Sequence, residues 1–167
     1  MFCIQYNYQS QNNQSLFISA VNQLISQKAA VIDAVIGAVL PALDTSGLET
    51  ESATLEEELT VVSDLMQECI YENAHVALDQ VEYQKRYDGL TARYDTAKAR
   101  YDEVTAAISD KQARQAQIEA FLETLRAQDG LVEKFDVNLW CGLVDFVTVY
   151  AKDDVRFTFK HGGEIRA

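Results

Sequence analysis

The longest uninterrupted stretch of the sequence runs from Asp79 to Gly130 and contains no proline. Asp79 and Glu82 have the three-residue spacing of a helix N-terminal cap, and Gly130 suits a C-terminal cap. The stretch therefore predicts one helix over about 79–129. At about 1.5 Å per residue such a helix would reach roughly 75 Å, far longer than an average globular helix.

Apolar and tyrosine side chains recur along this helix in alternating steps of four and three residues. These positions, here called the seam of the third helix, are Tyr83, Tyr87, Leu90, Tyr94, Ala97, Tyr101, Val104, Ile108, Lys111, Gln115, Ile118, Leu122 and Leu125. Only Lys111 and Gln115 interrupt the pattern, either loosening the pairing or fixing its register. A heptad repeat of this length is typical of a coiled coil.

A second heptad pattern precedes the first and predicts a helix over about 48–74, with Ser46 and Glu49 at capping-box spacing. Its seam is Leu48, Ser52, Leu55, Leu59, Val62, Met66, Cys69 and Asn73. This helix carries eight acidic residues and no basic one, whereas the third helix supplies eight basic residues. The short link between them predicts antiparallel neighbours, whose opposite charges select partner and orientation.

A first helix is predicted over about 16–40, where Pro41 removes a backbone donor and should end it. Residues 1–15 are rich in Gln, Asn and Tyr without a clear period, so we expect an irregular lead-in. The segment from Pro41 to Gly47 permits two arrangements. The first helix can fold back into a three-helix bundle, or it can extend the arm.

Beyond Gly130 the pattern changes to a short helix capped by Asp136 and a β-hairpin. The hairpin strands are Phe146–Tyr150 and Val155–Phe159. The predicted fold is therefore mainly α: a long antiparallel coiled-coil hairpin with a small C-terminal helix and β-hairpin. Its regions would be a lead-in over 1–15, a helical arm over 16–130 and the small end over 131–167.

Charge and cysteine content restrict the possible functions. A net charge of −12 opposes binding to a nucleic-acid backbone. Cys3, Cys69 and Cys141 are far apart and odd in number, so we expect neither a zinc site nor a disulfide framework. With no signal-peptide pattern, and an apolar run at 29–43 broken by Asp33 and Pro41, we expect a cytoplasmic protein without a membrane span.

No residue set predicts catalysis, a metal site or a cofactor. The four seam tyrosines alternate with Arg86, Arg93 and Arg100, a pattern also used to stack single-stranded nucleic acid, but their seam positions favour a core role. A Cys141–His161 nucleophile is disfavoured because Cys141 lies beside Trp140, where a small buried residue is expected. We therefore expect a protein that binds other proteins and is not an enzyme.

The second half of the chain carries a recognisable set of motifs. They are Tyr83, Tyr87-Asp88-Gly89-Leu90, Arg93-Tyr94, Phe121-Leu122, Leu125, Phe135-Asp136, Leu139-Trp140, Leu143-Val144-Asp145, Val147-Thr148-Val149-Tyr150, Val155-Arg156-Phe157-Thr158-Phe159-Lys160, Gly162 and Glu164-Ile165. In these residues the chain resembles the C-terminal region of large serine recombinases, the site-specific integrases of transposons and prophages. A weaker similarity at Asn22-Gln23-Leu24-Ile25 extends the resemblance to about Leu16–Ile165.

The resemblance implies a coiled coil that protrudes from a zinc ribbon, without the family's catalytic domain or the paired cysteines of its ribbon. It implies self-association, contact with another recombinase subunit, or contact with a directionality factor, with DNA bound only through the missing domains. The expected interaction residues on the seam and at the tip are Leu55, Leu59, Val62, Met66, His75, Val76, Leu78, Tyr83, Tyr87, Leu90, Tyr94 and Tyr101. The alternative is a free-standing coiled-coil dimerisation protein with no role at DNA.

Overall fold

The structure, a computed structural model, describes residues 11–76, 79–151 and 154–167. The molecule is mainly helical, with long helices and a small antiparallel sheet near the C-terminus, which confirms the mainly α class that the sequence predicts. The two longest helices are α4, Ser46–His75, and α5, Gln80–Ala127. Their ends lie within two residues of the expected ones.

The N-terminal helical segment differs from the single predicted helix. It consists of α1, Gln11–Ser26; α2, Lys28–Ala34; a π-helical stretch, Val35–Val39; and α3, Leu40–Ala42. Pro41 does not end the helix at residue 40. The helix widens in the turn before the proline, where the ring would otherwise crowd the carbonyl four residues back, and it continues to Ala42.

The irregular lead-in expected over 1–15 requires a correction where it can be compared. Residues 1–10 lie outside the described residues, but Gln11–Ser15 already belong to α1. These polar residues have only moderate helix propensity. They are helical because the following turns pack into a core through Phe17, Ala20 and Val21, and such packing overrides local preference.

Caps decide where the helices begin. Asp79 accepts from the backbone N–H groups of Val81 and Glu82, at 2.8 and 3.2 Å, as its spacing predicts. The expected capping box of Ser46 and Glu49 is wrong by one residue. The Thr45 hydroxyl donates to Glu49 at 2.7 Å, while the Ser46 hydroxyl turns back to Asp44.

Contacts divide the described chain into two compact units. The first contains residues 11–43 and 113–167, and the second contains residues 44–112. The helical arm expected as one region over 16–130 is therefore divided. The first predicted helix and the last turns of α5 bury their apolar side chains together with the C-terminal end, in one shared core.

The core of the first unit is built on a three-stranded antiparallel sheet. Strands β1, Val144–Ala151, β2, Asp154–Phe159, and β3, Glu164–Arg166, lie in the order β1-β2-β3, and the third strand was not predicted. The alternate residues Val155, Phe157 and Phe159 are buried on one face. On that face Phe157 meets Phe17 of α1, with ring centroids 6.4 Å apart. The predicted two-stranded hairpin thus gains the partners it needs from α1 and β3.

Two polar side chains fasten α1 and α2 to the segment after α5. Asn22 accepts from the backbone N–H of Val132 at 2.7 Å and donates to its carbonyl at 3.0 Å. Lys28 donates to the carbonyls of Arg126 and Gln128, at 2.8 and 3.0 Å, where the last helical carbonyls have no partner within the helix. These bonds place the first predicted helix in this unit, against the sheet and the end of α5.

Candidate protein-interaction surface

Three ion pairs connect α4 with α5 in the unit of residues 44–112. Glu51 pairs with Arg100 at 2.6 Å, Glu58 with Arg93 at 2.5 Å and Glu72 with Arg86 at 2.6 Å. Arg93 and Arg100 each contact both oxygens of their partner. The expectation that acids of the second helix face bases of the third is therefore confirmed, and we call this set the ion-pair ladder.

The ladder also gives the direction of the two helices. As the arginine position rises from 86 to 93 to 100, the glutamate position falls from 72 to 58 to 51. Two elements with this pairing run antiparallel. Arginine hydrogen bonds and charge lower the pKa of the Glu51 and Glu58 carboxyls, and the same contacts raise the pKa of Arg93 and Arg100.

The seam positions are the least exposed positions on both helices. Val62 and Cys69 of α4 and Ala97 and Val104 of α5 are buried. The other predicted seam sites are half-buried: Leu55, Leu59, Met66, Tyr83, Tyr87, Leu90, Tyr94 and Tyr101. The structure thus brings the predicted seam to the inner side of each helix, with Leu55 and Ala97 lining one groove.

Lys111, which interrupts the seam, donates to the backbone carbonyl of Asp44 at 3.0 Å. Asp44 lies between α3 and α4, where its carbonyl is free to accept. Gln115 instead bonds Glu119 one turn further along α5, at 2.8 Å. The lysine therefore fixes the start of α4 relative to α5 in its unit, in agreement with a role in register.

Large apolar side chains are exposed where α4 ends and α5 begins. Ile70 is 48% exposed, Tyr71 65%, Val76 57% and Val81 79%. We call these four residues the tip cluster. They point away from the seam, and most soluble surfaces do not concentrate apolar side chains in this way. Such a cluster is typical of a site that contacts another protein.

The predicted tip residues have different positions in the structure. Val76 belongs to the tip cluster, and exposed His75 stacks on Tyr71 with ring centroids 4.1 Å apart. Leu78 lies outside the described residues. Sequence reasoning missed Ile70, Tyr71 and Val81, although all three are large apolar residues outside the seam, and that position was the available signal.

The alternating tyrosine and arginine residues of α5 do not leave their charges available. Arg86, Arg93 and Arg100 are all engaged by glutamates of α4. The tyrosines at 83, 87, 94 and 101 are half-buried. A single-stranded nucleic acid would need both groups free, so the geometry favours a core role for the tyrosines.

Three further features bear on possible chemistry. Cys141 is exposed, contrary to the expected buried position, and Lys160 donates to its carbonyl. Within residues 11–76, 79–151 and 154–167, no three metal-binding side chains come close enough to hold an ion. One stretch within Lys28–His75 is apolar enough to cross a membrane, a property that core helices of soluble proteins share.

Comparisons with known proteins give no assignment. No protein-family model matches the sequence, and no curated protein or solved structure matches it either.

Proposed function

We propose that this chain is a non-catalytic interaction fragment of a serine recombinase, acting in the cytoplasm in site-specific recombination of mobile elements. In this proposal α4 and α5 form an antiparallel coiled-coil hairpin whose end contacts another recombinase subunit. DNA is held by other domains. The sequence resemblance supports the family, and the tip cluster is the observation that supports contact through the hairpin end.

The hairpin suits contact better than chemistry. Its seam is occupied by its own side chains, and its opposite charges are paired between α4 and α5. What remains for a partner is the apolar tip cluster, next to the stacked His75 and Tyr71. Apolar and aromatic side chains at the centre of a contact supply most of its binding free energy.

The test uses the recombinase that contains this sequence or is encoded beside it. Tyr71→Glu with Val76→Glu would place two carboxylates in the tip cluster. We expect complexes that hold two DNA sites together to fall at least about tenfold, the effect of about 1.4 kcal/mol, while binding to one site stays unchanged. Gel-shift measurements on paired and single sites separate the two effects.

Val61→Glu is the matched control, because Val61 is also an apolar residue of α4, 50% exposed, but lies away from the tip. It should leave both complexes unchanged. Equal recombination by the tip variant and the wild type would contradict the proposal. So would a genomic neighbourhood without any recombinase frame, which would favour the free-standing coiled-coil protein.

A further inference from the structure

Strand β1 has an unpaired edge among the described residues, because the sheet order is β1-β2-β3. The strand is eight residues long, and its part from Phe146 to Ala151 contains no charged residue. Proteins usually protect a long apolar edge with charges, prolines or a covering element, since its free backbone groups can pair with another strand. This edge is therefore suited to strand addition.

The side chains of β1 present apolar groups beside the free edge. Phe146 is 55% exposed, Tyr150 is 62% exposed, and Val149 is 36% exposed. Phe146 and Tyr150 lie on the face opposite the core, because Thr148 between them is paired with Arg156 and the Arg156 guanidinium covers the Tyr150 ring at 4.6 Å. Val147 and Val149 lie on the core face, with Phe157 and Val155 opposite them.

The order of these residues is symmetric about Thr148. It reads aromatic, valine, threonine, valine, aromatic from Phe146 to Tyr150. Between the irregularities at Val144/Phe146 and Val149/Ala151, the strand keeps regular register with β2. The centre of the symmetric sequence thus lies in the regular part of the free edge.

We propose that β1 pairs with β1 of a second copy of this chain, antiparallel about a two-fold axis through Thr148. Opposite residues of an antiparallel pair both direct their backbone groups at the partner strand or both away from it. Neighbouring residues differ in this respect, so the axis must pass through one residue. Thr148 is the residue that sets aromatic against aromatic and valine against valine.

The pairing has direct consequences for the side chains. Phe146 comes opposite Tyr150 of the other copy, and Val147 opposite Val149 of the other copy, each pair occurring twice. Aromatic and β-branched cross-strand pairs are the stabilising units of antiparallel sheets. The two three-stranded sheets become one sheet of six strands.

Charge also favours a second copy at this edge. The chain carries a net charge of −12, so most surfaces of two copies repel each other. The edge from Phe146 to Ala151 is uncharged, and Asp145 before it is compensated within its own chain by Arg114, at 3.9 Å. In the sequence the acidic Asp145 precedes this edge and the basic Lys152 follows it, so antiparallel pairing matches opposite charges at its ends.

Cysteine substitutions test the register directly. In a background with Cys3→Ser, Cys69→Ala and Cys141→Ser, Thr148→Cys would place two thiols on residues about 4.5–5.5 Å apart between Cα atoms, within disulfide reach. Phe146→Cys would separate its two copies by four residues along the strand, about 13 Å. We expect rapid cross-linking of Thr148→Cys, slow cross-linking of Phe146→Cys alone, and rapid cross-linking of Phe146→Cys mixed with Tyr150→Cys.

Thr148→Glu tests the interface without cross-linking. In one copy the new carboxylate lies opposite Arg156, so the sheet should keep its melting temperature, but two carboxylates would meet on the axis. We expect the sedimentation of the wild type as a dimer to shift to that of a monomer. Gln112→Glu, which adds the same charge on an exposed position of α5, should remain dimeric.

Several results would overturn the proposal. A wild-type chain that stays monomeric at high concentration would do so, as would Thr148→Cys that cross-links no faster than Phe146→Cys. A dimer unaffected by Thr148→Glu would place self-association elsewhere, such as at the tip cluster. None of these results bears on the recombinase proposal, which depends on Tyr71 and Val76.

Discussion

Single side chains hold the first unit together where its backbone is irregular, and Asn22 is the clearest case. Its amide bonds both backbone groups of Val132, a residue only 9% exposed, so loss of the amide leaves a sheltered N–H without a partner. Sequence alone did not predict this role, since Asn22 and Val132 are 110 residues apart. Only the tertiary structure brings them together.

Asn22→Ala should therefore lower the free energy of unfolding by about 1–3 kcal/mol, the cost of an unsatisfied sheltered group. Urea denaturation at neutral pH measures the change. The neighbouring exposed Gln23→Ala serves as control and should stay within about 0.5 kcal/mol of the wild type. Equal stability of Asn22→Ala and Gln23→Ala would contradict the role of the clamp.

His161 should make the stability of the chain depend on pH. Its ring stacks on Phe121 at 4.8 Å, Nδ1 is buried with no partner among the described residues, and burial lowers its pKa below the ordinary 6.5. In acid the unfolded chain therefore binds the proton first. This stability is fully present above about pH 6.5 and is lost as pH falls from there through the lowered pKa.

Thermal unfolding between pH 5 and pH 8 measures this dependence. His161→Phe keeps an aromatic ring on Phe121 but cannot titrate, so it should flatten the curve over that range. His75→Gln removes the other histidine of the chain, which is exposed, and should leave the curve unchanged. An unaltered slope in His161→Phe would contradict the assignment.

Among the elements, α4 and α5 were predictable and the first helix and third strand were not. The heptad spacing gave the inward side of both helices because every seam position repeats the same physical requirement. The strand β3 has only three residues, Glu164–Arg166, too few to show alternation. Its register with β2, where Ile165 faces Phe157, depends on the turn at Gly162, whose φ of 94° favours glycine.

The ion-pair ladder can be tested as an element. Arg93→Glu would bring two carboxylates together with Glu58, and Glu58→Arg would bring two guanidinium groups together with Arg93. Each should destabilise the chain less than Asn22→Ala, because the pair is exposed, and the double exchange should restore stability. Denaturant unfolding of all four proteins gives the coupling, and additive losses would contradict a direct pair.

At the scale of the whole molecule, two units are held by cores of different size. Unit one buries large side chains such as Phe17, Phe121 and Phe159, whereas unit two has Val62, Cys69, Ala97 and Val104 as its buried residues among those described. The sequence showed the apolar content of both parts. It could not show that residues 11–43 share a core with 113–167, because that depends on contacts between distant segments.

Phe17→Ala should consequently destabilise unit one by about 3–5 kcal/mol, the usual cost of removing a buried aromatic ring. Hydrogen exchange followed by mass spectrometry should show faster exchange in α1 and the sheet. Exchange in α4, which belongs to unit two, should change much less. Equal acceleration in α4 would mean that the two units unfold as one.

Leu65 gives the ladder an unexpected property. It occupies the place, seven residues after Glu58, where a further glutamate would continue the series, so Arg86 reaches Glu72, one heptad beyond the offset used by Arg93 and Arg100. Sliding the helices by seven residues would keep Arg86 on Glu72 and give Arg100 a new partner in Glu58. The charges are thus nearly indifferent to that slip, and the length of the 76–79 connection selects the register. A chain cut there would be free to exchange α4 between copies.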